Sequence, residues 1–124
     1  MKLIKLIPAA AIALTSFTTF KAKAMQICIY NGSGFTMAMQ VQNLSSSGYP
    51  KKKTSYYTDG LTKCIKMSDV PVDDGDNYNV TYIIQSGVSN SNYCAEDKTR
   101  TSSDSGKTKT YTVSGTTVSN SCDL

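Results

Sequence analysis

The residues best suited to recognition stand close together near the middle of the chain. Lys51, Lys52 and Lys53 form its one basic run; Tyr49 precedes them, and Tyr56 and Tyr57 follow. Ammonium groups attract an anion, and tyrosine faces add apolar or sugar-ring contact together with cation–π attraction. Pro50 fixes one backbone angle just before the run, which lowers the ordering cost of binding. The expected partner is an acidic glycan, an anionic lipid headgroup or a host protein. Three lysines fall short of the four to eight of a polybasic lipid site, and the same run also reads as a solvated loop.

A second cluster is acidic. Asp73, Asp74 and Asp76 surround Gly75 within four residues. Several carboxylate oxygens this close could serve calcium. The order does not match an EF-hand loop, which needs alternating ligands and a distant Glu. Asp and Gly are also ordinary turn formers, so a plain turn is the competing reading. No other cofactor is implied.

Catalytic chemistry has little to work with. The chain contains no His, which removes Ser-His-Asp, Cys-His and His-ligated metal arrangements. Glu96 is its one glutamate. A carboxylate-only hydrolase would need acids on opposite sides of a substrate, whereas Asp69, Asp73, Asp74 and Asp76 crowd one segment. The expectation is a protein that is not an enzyme.

The four cysteines, Cys28, Cys64, Cys94 and Cys122, are an even set in a small chain. Without His or any C-x-x-C pair they do not form a zinc motif. They point instead to two disulfides and an oxidising compartment. Residues 1–24 agree with that compartment. Lys2 and Lys5 precede an apolar stretch over residues 6–14, and Ala22-Lys23-Ala24 sets small residues at a cleavage site. Those are the parts of a secretory signal peptide. The apolar stretch is short of the roughly 20 residues of a transmembrane helix. The expectation is a signal over residues 1–24 and one secreted or periplasmic domain over residues 25–124. Lys2, Lys5, Lys21 and Lys23 would leave with the signal, taking 13 basic residues to 9 against 9 acids. A neutral domain gives no support for nucleic-acid binding.

The elements that must position these residues read as strands. Met37, Met39 and Val41 alternate with Ala38, Gln40 and Gln42; Val80, Tyr82 and Ile84 alternate with Asn79, Thr81 and Ile83. No apolar helical rhythm lasts three turns. Turn chemistry at Asn31-Gly32-Ser33-Gly34, Asp59-Gly60, residues 73–76 and Ser114-Gly115 separates strands over 26–30, 35–43, 54–58, 61–67, 77–85, 111–113 and 116–118. Residues 44–53 and 97–107 read as long loops. The fold class expected is all-β: a small antiparallel β-sandwich, or a partly open barrel, stapled by two disulfides.

Strand parity orders the cysteines. Cys28 faces away from Ile27 and Ile29, and Cys64 faces away from Ile65 and Met67. If their strands are neighbours, Cys28 pairs with Cys64, leaving Cys94 for Cys122. Together these features point to a non-enzymatic binding module. A structural subunit of a surface fibre or coat is the alternative, favoured if a sheet edge is left open.

Overall fold

The computed structural model describes residues 25–85 and 91–124; the expected signal peptide lies outside the described residues. Eight strands follow in order: β1 (Gln26–Ser33), β2 (Met37–Asn43), β3 (Lys51–Lys53), β4 (Thr62–Lys66), β5 (Asn77–Ile84), β6 (Ser91–Thr99), β7 (Thr108–Gly115) and β8 (Asn120–Asp123). Short 3-10 turns at Met67–Asp69 and Ser102–Asp104 are the helical segments among the described residues. The strands form two four-stranded sheets, one ordered β4-β1-β7-β8 and the other β3-β2-β5-β6. The expected all-β sandwich is the fold observed.

Alternation decides which side chains meet between the sheets. Ile27 and Ile29 of β1, Ile65 of β4, and Tyr111 and Val113 of β7 face inward from the first sheet. Met37, Met39 and Val41 of β2 and Tyr78, Val80, Tyr82 and Ile84 of β5 face them from the second. Each such side chain contributes on the order of 1.5–3 kcal/mol when fully buried. Met67, Val70 and Val72, in the connection after β4, fill one end of the core. Phe35 stacks on Tyr82 near the other end, with ring centres 6.5 Å apart.

Both disulfides have the expected partners. Cys28 and Cys64 are directly opposed on β1 and β4. Cys94 and Cys122 join β6 to β8 and so tie one sheet to the other. Among the described residues no cysteine is free, and no helix is long and apolar enough to cross a membrane.

Four local expectations differ from the structure. Residues 51–53 are a strand, β3, rather than the end of a loop: β2 has an open side there, and Lys51, Lys52 and Lys53 pair with Gln42, Val41 and Gln40. Residues 54–58 form no full strand and meet β2 at two points, the Tyr57–Met37 bridge and the bonds between Thr54 and Met39. The sequence predicts no strand at β6 or β8, which lack apolar alternation; their pairing with β5 and β7 makes them strands. The final turn follows Gly115, which pairs with Asn120, so the Ser114-Gly115 hairpin is displaced by a few residues. One pairing, β1 with β7, is parallel.

Asn31 fastens the β1–β2 connection. Fully buried, it donates from Nδ2 to the carbonyls of Phe35 (2.8 Å) and Tyr57 (3.2 Å) and accepts from the Ser33 amide (3.0 Å). It begins an Asn-x-Ser triplet, yet its amide is occupied within the core.

Candidate functional site

The basic run is set on the outer edge of the second sheet. Pro50 lies immediately before β3, and its carbonyl accepts from Asn43 at 2.8 Å. Beyond the strand, the Thr54 amide donates to the Met39 carbonyl at 2.9 Å. These bonds hold the three lysines extended, and all three are exposed. Two ion pairs occur among the described residues, Arg100 with Asp74 and Lys109 with Asp104. Neither uses Lys51, Lys52 or Lys53, so the edge carries three cations without a carboxylate partner. Lysines on an edge strand also resist pairing with another sheet.

The tyrosines divide between surface and core. Tyr49 is 58% exposed in a tight turn, its amide donating to the Ser46 carbonyl at 3.1 Å and its φ at 47°. A positive φ is uncommon for a bulky residue. Tyr56 is 39% exposed, and the Lys53 ammonium lies 4.9 Å from its ring centre. Tyr57 does not join the surface strip that its spacing predicts: it is buried in the core, with its hydroxyl donating to the Ile29 carbonyl at 2.9 Å. Burial pushes its pKa well above the ordinary tyrosine value. Chain alternation explains the split, because adjacent tyrosines in extended backbone face opposite ways. The strip is therefore Tyr49, Lys51, Lys52, Lys53 and Tyr56.

Two of the three acidic side chains, Asp74 and Asp76, make contacts within the fold. The Asp76 carboxylate accepts from the Asp73 amide at 3.0 Å and from Asn43 Nδ2 at 3.5 Å. Asp74 lies 3.6 Å from Arg100 Nε. Among the described residues no group of three or more His, Cys, Asp or Glu side chains is placed to hold a metal ion. Asp73, Asp74 and Asp76 thus stand in a turn held by local contacts of Asp74 and Asp76.

Arg100 carries no sequence signal, whereas Asp104 stands at capping-box spacing after Thr101. Arg100 is nearly buried; its guanidinium donates to the Val72 carbonyl and lies 3.5 Å from the Ser105 hydroxyl. It fixes residues 70–76 against the segment after β6. Asp104 caps the turn at Ser102–Asp104, accepting from the Thr101 amide at 2.9 Å. That bond, together with the nearby Lys109, lowers its pKa despite burial. Tyr78 lies close enough to feel both charges; desolvation is the main reason its pKa is pushed up to about 12. These residues tie loops together at the end of the sandwich where β5 begins.

The class defined so far is a two-sheet β-sandwich, stapled within one sheet and between the two, with a cationic, tyrosine-flanked edge. No family model matches the chain, and no curated protein matches it. Among solved structures, the membrane-binding domain of pneumolysin is 12% identical, with a TM-score of 0.45, over 80% of this chain and 93% of that one. A structure described as "Trapped Toxin" is 8% identical, with a TM-score of 0.40, over 80% of this chain and 23% of that one. Neither likeness identifies a ligand for this chain.

Proposed function

We propose that the chain is an exported, non-enzymatic binding module whose ligand is anionic and docks along β3. The observation that carries this reading is the row Lys51–Lys53, exposed on a sheet edge, with no carboxylate partner among the described residues. Tyr49 and Tyr56 flank it with exposed rings. Two disulfides suit an oxidising compartment, as export requires. The absence of His and the engagement of Asp74 and Asp76 in local contacts support binding over catalysis. A fibre or coat subunit would join through a sheet edge. Here β3 carries three lysines, and β6 carries Glu96, Asp97 and Lys98 with Asp97 at a φ of 53°. Both are features that blunt edges.

The test is binding to immobilised acidic glycans and to phosphatidylserine vesicles at low and physiological salt. Binding should weaken as salt rises, because exposed charges are screened over about 8 Å at physiological ionic strength. The triple variant Lys51→Ser, Lys52→Ser, Lys53→Ser should lose it while keeping the wild-type circular dichroism spectrum. Anion binding that persists in the triple variant would place the site elsewhere and sink this proposal.

A further inference from the structure

The lysine edge continues across the sheet. Lys53 is directly opposite Gln40 on β2, Gln40 is opposite Thr81 on β5, and Thr81 is opposite Tyr93 on β6. Directly opposed residues on neighbouring strands share a face. Met39, Val41, Val80 and Tyr82 point into the core, so this row lies on the outer face. It crosses all four strands, a span of about 14 Å at the usual strand spacing. An exposed ring stands at each end: Tyr56 under the Lys53 ammonium, and Tyr93 at 47% exposure.

The middle of the row is polar and underused. Gln40 is half-buried, and no hydrogen bond engages its side chain among the described residues. Thr81 is 5% exposed, and its hydroxyl is buried without a partner among the described residues. A buried hydroxyl left unpaired is costly, and a group that both donates and accepts would relieve that cost.

We propose that the ligand is a short acidic oligosaccharide lying across the strands, its acid at Lys53 and its other end against Tyr93. This rests on the reading of β3 as an anion-binding edge and assigns its ligand class. Sugar hydroxyls donate and accept, as Gln40 and Thr81 require. Sugar rings have C–H faces that pack on Tyr56 and Tyr93, and an acidic substituent complements lysines that have no carboxylate partner among the described residues. A row of this length accommodates more than one sugar. A bilayer fits less well. Among the described residues the exposed aliphatic side chains are Leu61 beside β4, Val118 in the β7–β8 turn and Leu124 after β8, none of them on the four strands of this sheet.

The experiment uses the folded, oxidised domain and an array of sialylated, uronate-containing and sulfated trisaccharides, each beside its uncharged counterpart. Phosphatidylserine vesicles form a separate arm. The expected result is binding to acidic members over neutral ones. Tyr93→Ala, Gln40→Ala and Thr81→Val should each weaken it about fivefold, the scale of one ring contact or hydrogen bond. Their far-ultraviolet spectra and disulfide maps should match wild type. If acidic sugars bind through the lysines but all three row variants bind as wild type does, the row is overturned and the anion-binding edge stands. Vesicle binding without sugar binding has the same meaning. If neither sugars nor vesicles bind, both proposals fail.

Discussion

Removing the disulfide between the sheets should do more than its loop length implies. The Cys28–Cys64 and Cys94–Cys122 bridges close loops of 36 and 28 residues. The chain-entropy relation gives them nearly equal worth, about 3.8 and 3.6 kcal/mol at 25 °C. Their surroundings differ. Cys28 and Cys64 join strands that already pair over five residues, so the ladder remains when the bridge is cut. β8 is four residues long and, among the described residues, pairs with β7 alone; the bridge to β6 and the Tyr82 hydroxyl, which donates to Asn120 Oδ1, are what hold it to the second sheet. The double variant Cys94→Ala, Cys122→Ala should therefore lose about 3.6 kcal/mol overall. At a slope of about 1.5 kcal/mol per molar urea, the unfolding midpoint falls by about 2.4 M. It should also open β8 locally. Hydrogen exchange would show this as β8 amides exchanging well before those of β1, through a sub-global opening. Cys28→Ala, Cys64→Ala should lose similar global stability with no such separation. Loss of less than about 1 kcal/mol, or β8 and β1 exchanging together in both variants, would refute the reasoning.

Two further outcomes follow from the same packing. Tyr57→Phe removes the hydroxyl donated to Ile29 and should cost about 1 kcal/mol, whereas Tyr78→Phe removes a buried hydroxyl with no partner among the described residues and should be neutral or slightly stabilising; urea midpoints compare them. Both tyrosines titrate higher in the folded state than the ordinary value of 10.0, so their contribution is intact below pH 10 and is lost as pH rises toward 12 and beyond. Wild type should weaken over that window, and Tyr78→Phe should weaken less. Gly115 has a φ of 108°, and a Cβ there would sit 2.2 Å from the Ser119 carbonyl oxygen, so Gly115→Ala should cost more than about 2 kcal/mol; an unchanged thermal midpoint would contradict that.

Parity made much of the sandwich legible. Met37, Met39 and Val41, and Val80, Tyr82 and Ile84, announce half-buried strands because one face must be dry. The same parity, applied to Cys28 and Cys64, leads to the correct pairing. It fails where burial does not drive strand formation. β3 is three lysines, and β6 and β8 are mostly polar; each is a strand because a neighbour offers unpaired backbone groups. Register is the deeper gap. Tyr56 and Tyr57 are equivalent in composition, and the bridge from Tyr57 to Met37 decides which one faces water. The row from Lys53 to Tyr93 draws on four strands, so no local stretch of sequence carries it. Arg100 gives no pattern either, since the Val72 carbonyl and Asp74 reach it only through the folded loops; Asp104 is legible from its spacing to Thr101.

The parallel pairing of β1 with β7 sets an order of assembly. Gln26 of the first strand meets Thr108, 82 positions later. No part of that ladder can form until most of the domain is available, and closing so long a loop is entropically slow. Until then β1, with Ile27 and Ile29, has an unprotected edge. β4 lies much nearer in sequence and covers the opposite edge of β1, and the Cys28–Cys64 bond can lock that pair once oxidised. Oxidation at this position would hold the first strand in register while it waits for its last neighbour. The refolding rate of the oxidised chain should then exceed that of the chain lacking this one bridge.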